Sequence, residues 1–490
     1  MPNSQLHFST VQQLHELLLK RDVSSVEVTR SALDRVTQLD PKLHAFLLVT
    51  EDIALAQAAE ADRRIARGDA GPLTGIPFAL KDLINIRGVR TTCGSRILEN
   101  YVPVYQGQVV DRLASAGAVL LGKTNMDEFA MGSSTEHSGF FPTHNPWDLT
   151  RVPGGSSGGS AAAVSAGLAY FALGTDTGGS IRQPAALTGV VGVKPTYGRV
   201  SRYGLVAFAS SLDQIGPFAR TVEDAALVLS VIAGHDHRDS TSLQADVPAY
   251  VSQLGSDTRS IRIGVPREYF PESLSPGVAE SVRGALSTLE SLGAQIEEIS
   301  LPSTEVTLSS YYIIAPSEAM SNLARYDGVR FGLRVEDGDV WDMFDRTREV
   351  GFGTEVKRRI LLGAYALSKG YYEAFYVKAQ LVRSLVKAEF DRAFEKVDLI
   401  LGPTSPTTAF RLGEKLDDPL AMYLADVFTL PANMAGICGI SVPCGLSSGL
   451  PVGLQILGRQ LGEPAMFRVA HAYEKAAGFT SLRPPIEVAA

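Results

Sequence analysis

Apolar residues near the start of the chain recur at the spacing of an amphipathic helix. One set lies within Leu14–Leu19 and a second within Val26–Val36, with apolar residues three or four positions apart. This spacing places apolar side chains on one face, so the pattern predicts two helices that pack on a core. Thr10 and Ser24 stand just before these helices, and their hydroxyl groups are typical N-terminal caps.

The pattern changes near Gly75, where short apolar runs bounded by turn residues replace the helical spacing. Such runs are typical of buried strands. The predicted strands are 75–82 (running into a loop), 118–121, 261–265, 295–299, 398–401, 439–446 and 451–457. The predicted helices are one ending near Gly117, 223–233, 278–292 and several between about 305 and 395. Because strands and helices interleave, the pattern predicts an α/β layered fold.

The stretch from about Met131 to Asp213 is dense in glycine, serine, threonine and proline, but it is not of low complexity. Turns of small residues alternate there with apolar runs. Gly/Ser-rich runs are usually flexible linkers. This one leads directly into Ala161–Val164, which we expect to be a tightly packed helix. The sequence shows no internal repeat and no long linker between domains.

The composition is that of an ordinary globular protein. Of 490 residues, 45% are apolar and 20% are charged, and the net charge is −8. A chain that grips nucleic acid by itself needs a basic surface, so this charge argues against that function. A partner subunit is free to supply the basic surface.

The cysteines predict a protein of a reducing compartment. Cys93, Cys438 and Cys444 have irregular spacing, which indicates free thiols, and no CxxC pair suggests a metal. The N-terminus has no basic region followed by an apolar run, so we expect no signal peptide. The longest apolar stretch, Ala161–Gly174, is shorter than the ~20 residues that cross a bilayer. We therefore expect a cytoplasmic protein with no membrane segment and no bound metal.

Residues Gly117–Thr124, GAVLLGKT, match the phosphate-loop pattern GxxxxGK[ST] letter for letter. A phosphate loop needs an open stretch between its glycines, with amides turned inward, and then a helix. The intervening Ala-Val-Leu-Leu favours a buried strand instead. We therefore reject nucleotide binding here and predict a strand and a turn.

Residues Gly154–Gly158, GGSSG, match the GxSxG pattern of a nucleophile elbow. Such an elbow follows an apolar strand and needs a histidine base later in the chain. The preceding Leu149–Pro153 is a poor strand, and His235 and His237 lie in a polar run that predicts a surface loop. We therefore reject a Ser-His-Asp hydrolase.

Three segments carry residues suited to acyl transfer from an amide, a reaction that needs a nucleophile, a base and oxyanion donors. They are Lys81 at the end of an apolar strand, Gly154–Ser160 and Gly174–Pro184. Ser180 follows two glycines that allow close backbone approach, so it is the candidate nucleophile. The amides of residues 177–179, which are Thr177, Gly178 and Gly179, are the candidate oxyanion donors.

The base has to be a lysine, because no histidine is well placed in the sequence. A lysine accepts a proton only when it is neutral, so burial must lower its pKa from ~10.4 toward ~7. Lys81 fits this requirement. Ser156 is the candidate relay, since a hydroxyl group both donates and accepts.

The runs GGSSGGSAAAVSAG and GTDTGGSIRQPAALTGVVGVKPTYGRVSRYG resemble the amidase signature family. The resemblance implies a catalytic set of Lys81, Ser156 held by a cis peptide bond, and nucleophilic Ser180. It also implies the amidase signature fold, a single α/β/α domain over residues 1–490 with a central mixed sheet covered by helices. Its expected parts are a helical segment to about 65, a signature core of about 70–235, a helix-rich part of about 270–395 and C-terminal strands from about 396.

Within this family, the chain is most similar to the A subunits of tRNA-dependent amidotransferases, over nearly its whole length. The distinguishing runs are NMDEFAMGSSTEHSGFFPTHNPWDLTRVPGGSSGGS, GLVAFASSLDQIGPFARTVEDAALVLSVIAGHD, SEAMSNLARYDGVRFG and YLADVFTLPANMAGICGISVPCG. One departure is Met320, where the pattern has a serine, away from the catalytic set.

This similarity implies a glutaminase that works in a heterotrimer. The chain is expected to hydrolyse glutamine through a glutamyl-enzyme ester and to need no cofactor itself. A B subunit is expected to bind misacylated tRNA, to activate Glu-tRNA(Gln) or Asp-tRNA(Asn) with ATP and Mg²⁺, and to receive the ammonia. A small C subunit is expected to clamp the two together.

The resemblance also assigns the glutamine-binding residues. Arg359, in the run Lys357–Ile360, is expected to bind the α-carboxylate and Asp426 the α-amino group, with Tyr311 or Tyr312 lining the pocket. A guanidinium fork pairs well with a carboxylate, and a carboxylate with an ammonium. The alternative is a free-standing amidase for a small amide, which would share the triad. Arg359 and Asp426 favour the amino-acid substrate.

Overall fold

The structure is a computed structural model and describes residues 6–255 and 257–486. Strands in this part of the chain form one mixed sheet. They are β1 (Phe46–Val49), β2 (Pro77–Lys81), β3 (Val119–Thr124), β4 (Phe171–Asp176), β5 (Val191–Lys194), β6 (Gln214–Ala219), β7 (Arg262–Pro266), β8 (Gln295–Ile299), β9 (Leu399–Pro403), β10 (Cys438–Ser447) and β11 (Leu450–Gly458). Their order across the sheet is β1-β3-β2-β4-β6-β5-β10-β11-β9-β7-β8.

Parallel pairs occur in two parts of this sheet. β2 runs parallel to both β3 and β4, and β7 runs parallel to both β8 and β9. The strands between β4 and β9 pair antiparallel with their neighbours, as β1 does with β3. The carboxyl ends of parallel neighbours meet at one edge of a sheet, where α/β proteins usually bind ligands. β2 and β4 therefore deliver the residues that follow them to the same place.

Helices cover both faces of the sheet. They are α1 (Val11–Lys20), α2 (Ser25–Leu43), α3 (Glu51–Arg67), α4 (Gln108–Ser115), α5 (Gly158–Ser165), α6 (Arg182–Thr188), α7 (Val222–Ile232), α8 (Pro276–Ser291), α9 (Thr304–Leu323), α10 (Val340–Gly351), α11 (Thr354–Leu367), α12 (Lys378–Lys396), α13 (Pro419–Tyr423), α14 (Leu430–Ala435) and α15 (Glu463–Ala477). In β2, Phe78 and Leu80 pack into one hydrophobic cluster and Ala79 packs into another. Alternate side chains of a strand point to opposite faces, so both faces are buried. The predicted α/β fold with a helix-covered mixed sheet is confirmed.

The two predicted N-terminal helices are confirmed as α1 and α2, together with their caps. Thr10 accepts a hydrogen bond from the amide of Gln13, whose side chain bonds back to the amide of Thr10. Ser24 and Glu27 form the same reciprocal pair at the start of α2. Such capping boxes satisfy amides that a helix leaves unpaired, which is why each helix begins at this point.

The seven predicted strands are confirmed, but four further strands, β1, β4, β5 and β6, were not predicted. Every residue of β4 and β6 is buried. β4 ends in Gly174, Thr175 and Asp176, so it lacks the longer apolar run by which the other buried strands were predicted. β6 also contains Gly216 and Pro217, which are more typical of turns.

The GAVLLGKT motif forms the predicted strand. Its last six residues are β3, and every one of them is buried. Lys123 Nζ lies 2.7 Å from Asp82 Oδ1 and donates to Thr91 Oγ1 at 2.9 Å. The lysine that a phosphate loop would use is thus engaged inside the protein.

Residues 149–153, directly before the GGSSG motif, form no strand beyond an isolated bridge at Arg151. His235, in the predicted surface loop, contacts the carbonyl of Ser242 at 3.3 Å. The features that a nucleophile elbow needs are therefore not found at this motif.

All three cysteines are free, with Cys93 and Cys438 buried and Cys444 half-buried. Among the helices that the structure describes, none combines the length and the apolar character needed to cross a lipid bilayer.

Candidate active site

Chain segments that carry the predicted triad meet at the carboxyl ends of β2 and β4. Lys81 is the last residue of β2. The loop after β4 carries Ser180 to the start of α6, and Ser156 lies just before α5. The amide of Ser157 donates to the carbonyl of Ser180 at 3.2 Å, which joins the two serine segments directly. The structure therefore brings Lys81, Ser156 and Ser180 into one region.

The amino group of Lys81 is buried among hydroxyl groups. Its Nζ donates to Ser156 Oγ at 2.7 Å, to Thr175 Oγ1 at 2.8 Å and to Ser157 Oγ at 2.9 Å. Burial lowers the pKa of Lys81 to about 7, although nearby aspartates oppose this shift. A lysine with this pKa is substantially neutral near pH 7, and its nitrogen can then accept a proton from a neighbouring hydroxyl.

Hydrogen bonds fix the segment that holds Ser156 on both sides of the Gly155–Ser156 peptide bond. The Gly155–Ser156 bond is cis, as the family resemblance implies. The Gly155 amide donates to Gln183 Oε1 at 3.0 Å, and the Ser156 carbonyl accepts from the Asp127 amide at 3.2 Å. A Cβ at position 155 would lie 2.2 Å from Asp127 Oδ2, so the position needs glycine.

Ser180 is 6% exposed. Within the described residues its hydroxyl group has no hydrogen-bond partner, so it is available to a substrate. The amides of residues 177–180 also donate to no protein acceptor in this part of the chain. Free amides beside a free nucleophile are what an oxyanion hole requires.

The oxyanion candidates lie in a loop held by side chains from outside it. Thr177 Oγ1 donates to Asp213 Oδ1, and Thr429 Oγ1 donates to the Gly178 carbonyl, both at 2.7 Å. Gly179 has φ +141°, and a Cβ there would lie 2.1 Å from Thr429 Oγ1. The loop can therefore take this shape only with glycine at position 179.

A buried ion pair joins the two ends of the same loop. Arg182 Nε and Nη2 donate to the two carboxylate oxygens of Asp176 at 3.0 Å each, and neither side chain is exposed. Burial opposes ionisation of Asp176, but the charge and hydrogen bonds of Arg182 lower its pKa to about 2. Asn433 and Gln455 accept further hydrogen bonds from Arg182. The pair fixes both ends of the segment that carries Ser180.

Asp426 lies beside this loop with one carboxylate oxygen unpaired. Oδ2 accepts from Ser133 Oγ at 2.5 Å, whereas Oδ1 is buried and has no partner within the described residues. A Cβ on Gly179 would lie 3.2 Å from Asp426 Oδ1, so this oxygen borders the loop. Burial raises the pKa of Asp426 to about 7. A buried oxygen without a partner is costly unless a ligand supplies the missing donor.

Arg359, on α11, is buried in an aromatic cage. Its Nε donates to Glu355 Oε1 at 2.8 Å, and Tyr423 donates to the same oxygen at 2.8 Å. The guanidinium carbon lies 5.1 Å from the Tyr312 ring centroid and 5.7 Å from that of Phe208. In the part of the chain that the structure describes, Nη1 and Nη2 donate to no protein group. Two donors of a fixed fork are therefore free.

Tyr311 and Tyr312 both border the site, on different sides. A Cβ on Gly178 would lie 2.8 Å from the Tyr311 hydroxyl, so Tyr311 contacts the oxyanion loop. Burial raises the pKa of Tyr311. The ring of Tyr312 meets that of Tyr311 edge-on at 5.1 Å and faces Arg359. Tyr311 and Tyr312 therefore connect the oxyanion loop with Arg359.

Several residues that shape the site were not predicted. They are Ser133, Ser157, Thr175, Asp176, Arg182, Gln183 and Glu355. The opposite charges of Asp176 and Arg182 on either side of the nucleophile were a usable signal, because a buried charge needs a partner. The hydroxyl groups gave none, since neighbouring serines and threonines look alike in a sequence.

No group of three or more histidine, cysteine, aspartate or glutamate side chains suited to a metal ion occurs among the described residues.

Comparison with known proteins identifies the family. The sequence model of the amidase family matches residues 27–467. The A subunit of glutamyl-tRNA(Gln) amidotransferase from Carboxydothermus hydrogenoformans is 58% identical, over 98% of this chain and all of the relative. The protein of the same name from Moorella thermoacetica is 59% identical, over 99% of this chain and all of the relative.

Solved structures agree with the sequence comparison. The A subunit of glutamyl-tRNA(Gln) amidotransferase from Thermotoga maritima superposes with a TM-score of 0.83 at 46% identity, covering 99% of each chain. The native peptide amidase of Stenotrophomonas maltophilia has the same TM-score at 32% identity, covering 98% of each chain. The family match over most of the chain and the identity to full-length relatives together show that this chain belongs to the amidase family.

Proposed function

We propose that this chain is the glutamine-hydrolysing subunit of a tRNA-dependent amidotransferase. One observation carries the proposal: two buried side chains of opposite charge have atoms with no protein partner among the described residues. Asp426 borders the Ser180 loop, and Arg359 packs on Tyr312, whose ring contacts Tyr311 beside that loop. An amino acid carries the complementary pair, an ammonium and a carboxylate. A simple amide has neither group.

In the proposed first step, Ser180 Oγ attacks the side-chain amide carbon of glutamine. Its proton passes to Ser156 Oγ, whose own proton passes to the neutral Nζ of Lys81. The amides of residues 177–179 stabilise the negative charge that develops on the amide oxygen. The proton then returns along the relay to the amide nitrogen, the C–N bond breaks and ammonia leaves. A glutamyl ester remains on Ser180.

The second step reverses these roles with water. Lys81 and Ser156 take a proton from water, and the resulting hydroxide adds to the ester carbon. The oxyanion is again stabilised by the loop amides. Ser180 Oγ then leaves and recovers its proton through the relay. Glutamate is released and the enzyme returns to its starting state.

The pocket that we propose for glutamine uses its α-groups for orientation. The free Nη1 and Nη2 groups of Arg359 pair with the α-carboxylate, as a fork suits two parallel hydrogen bonds. Asp426 Oδ1 accepts from the α-ammonium, whose charge also favours the ionised carboxylate. Tyr311 borders the side chain near the oxyanion loop. The amide is thereby directed toward Ser180.

We assign the remaining chemistry to partner subunits. Hydrolysis of glutamine needs no ATP, whereas amidation of a tRNA-bound carboxylate does, because the carboxylate must be activated first. The relatives described above are named as one subunit of an amidotransferase for glutamyl-tRNA(Gln). We therefore propose a heterotrimer in the cytoplasm. Its B subunit binds tRNA, ATP and Mg²⁺, and its C subunit joins the other two.

A free-standing amidase remains the second candidate. The TM-score to the peptide amidase equals that to the amidotransferase subunit, so the fold does not separate the two activities. Sequence identity favours the amidotransferase, at 58% against 32%.

The deciding experiment is to assay the chain alone and with its co-expressed partner subunits. We expect glutamine hydrolysis by the complex, with ATP-dependent formation of Gln-tRNA from Glu-tRNA(Gln). Ready hydrolysis of simple amides together with no turnover of glutamine in either form would favour the free-standing amidase.

A further inference from the structure

Gln183 contacts three segments of the site, but the mechanism above does not use it. It is the second residue of α6, three positions after Ser180, and its side chain is fully buried. Its Oε1 accepts from the Gly155 amide at 3.0 Å, and its Nε2 donates to the Ser133 carbonyl at 2.9 Å. Its own amide donates to the carbonyl of Gly179 at 2.8 Å.

The two side-chain partners belong to different halves of the site. Gly155 immediately precedes Ser156, the proposed proton relay. Ser133 donates through its hydroxyl to Asp426 Oδ2 at 2.5 Å. One amide group therefore connects the relay peptide with the residue that orients Asp426.

The backbone at Gly154 packs closely against the side chain of Gln183. A Cβ on Gly154 would lie 2.3 Å from Gln183 Oε1 and 2.8 Å from Pro184 Cα. A primary amide places an acceptor and a donor on one planar group, and here each meets a backbone partner. An apolar side chain would satisfy neither contact, and a carboxylate would satisfy one.

We propose that Gln183 is a positioning residue that couples recognition of the substrate α-amino group to the placement of Ser156. The coupling runs from Asp426 through Ser133 and Gln183 to the Gly155–Ser156 peptide. It rests on the proposed function, because it takes Asp426 as the α-amino site.

Two variants of near-equal size test the two hydrogen bonds separately in the assembled complex. Gln183→Met removes both, so glutaminase kcat should fall and KM for glutamine should rise, each by roughly 10-fold or more, as expected for a lost buried hydrogen bond. Gln183→Glu keeps an acceptor for Gly155, so its kcat should stay within about 3-fold of wild type. Its KM should rise, because a carboxylate cannot donate to Ser133.

A pH profile of KM distinguishes this role from general support of the fold. The protonated carboxyl of Gln183→Glu can donate to the Ser133 carbonyl again. The ratio of its KM for glutamine to that of wild type should therefore increase with pH. Asp426→Asn combined with Gln183→Met should raise KM less than the product of the single effects, because both act on one contact.

Any of three results overturns the proposal. The first is equal kcat and equal KM in Gln183→Met and Gln183→Glu, and the second is independent effects in the double variant. The third is a loss of ammonium-driven transamidation as large as the loss of glutamine-driven transamidation. A wild-type complex that does not hydrolyse glutamine would count against the proposed function instead. In that case butanamide serves as the probe, and a kcat that falls in Gln183→Met but not in Gln183→Glu still supports the positioning role.

Discussion

The amino group of Lys81 lies 2.7 Å from the hydroxyl oxygen of Ser156, and the lysine side chain is fully buried. Burial lowers the pKa of this lysine to about 7. A lysine so placed can fill the role that histidine has in Ser-His-Asp hydrolases. The surrounding hydroxyl groups both donate and accept, so Nζ keeps hydrogen-bond partners in its charged and its neutral form.

On the acid side of the pH profile, kcat/KM should depend on two ionisations and kcat on one. The free enzyme needs neutral Lys81 and ionised Asp426, and the pKa of each is about 7. In the substrate complex, the bound ammonium keeps Asp426 ionised, so kcat reports Lys81. Well below pH 7, kcat/KM should fall up to about 100-fold per pH unit and kcat about 10-fold.

Steady-state glutaminase rates of the complex from about pH 5 to about pH 8 measure both slopes. Asp426→Asn serves as the control and should reduce kcat/KM to one ionisation. Lys81→Arg should be inactive at every pH, because arginine does not give up its proton. Near-normal activity of that variant would rule out the neutral-base role.

Ser180→Ala should abolish glutaminase activity in a folded complex, because it removes the acyl acceptor. Ser156→Ala and Lys81→Met should each lower kcat by several orders of magnitude. Adding either change to Ser180→Ala should cause little further loss, since the three residues act as a unit. Ammonium-driven transamidation is the matched control and should stay at the wild-type rate. Glutamine turnover that persists in Ser180→Ala would contradict the nucleophile assignment.

The parts of the fold that the sequence predicted are those with a local signal. Thr10 and Ser24 marked helix starts because capping needs residues only a few positions apart. β4 and β6 gave no such signal, because glycine, proline and polar residues interrupt their apolar runs and the two strands pair with each other across more than 30 residues of chain. Their identity as strands depends on tertiary burial rather than on their own pattern.

The residues of the candidate site also differ in whether the sequence carries a local signal for them. Ser180 and Lys81 were predictable because acyl transfer needs a nucleophile and a base, and few residues satisfied both chemistry and context. Ser133 and Gln183 were not, because their importance comes from contacts with residues 293 and 28 positions away in the chain. A single sequence does not reveal which distant groups meet.

Arg182→Met should destabilise the protein strongly, because it leaves the carboxylate of Asp176 buried without its partner. Breaking a buried pair in this way typically costs about 3–5 kcal/mol. The exposed pair Arg334 and Glu336 offers a control, and Arg334→Met should change stability little. Denaturant unfolding of both variants provides the comparison. Equal midpoints for the two would show that the Asp176 pair does not hold the loop.

Lys123→Met should lower stability without affecting the ATP-dependent step. Lys123 and Asp82 form a buried pair at 2.7 Å, so removing the lysine leaves a buried carboxylate that only Thr92 still satisfies among the described residues. Asp82→Asn in the same chain should recover part of the loss. The complex should keep its ATP turnover and its ammonium-driven transamidation. A specific loss of ATP turnover with unchanged folding would restore the phosphate-loop interpretation of GAVLLGKT.

Asp426→Asn and Arg359→Gln should mainly weaken the use of glutamine. Each removes one partner of a desolvated charge pair, which typically costs about 2–5 kcal/mol, or roughly 30-fold or more in kcat/KM. Most of the loss should appear in KM if the contacts are equally strong in the ground and transition states. Lys81, Ser156 and Ser180 are unchanged in these variants, so kcat should change less.

The decisive comparison is between glutamine-driven and ammonium-driven transamidation by the same complexes. Ammonium bypasses the glutamine pocket, so both variants should make Gln-tRNA at the wild-type rate when ammonium replaces glutamine. Butanamide, which lacks the α-groups, should be hydrolysed equally by wild type and variants, since it contacts neither Arg359 nor Asp426. An equal loss with glutamine and ammonium would mean that these residues support the fold or a subunit interface. The free Nη groups and the free Oδ1 would then need another ligand, and the substrate would be an amide without recognised α-groups.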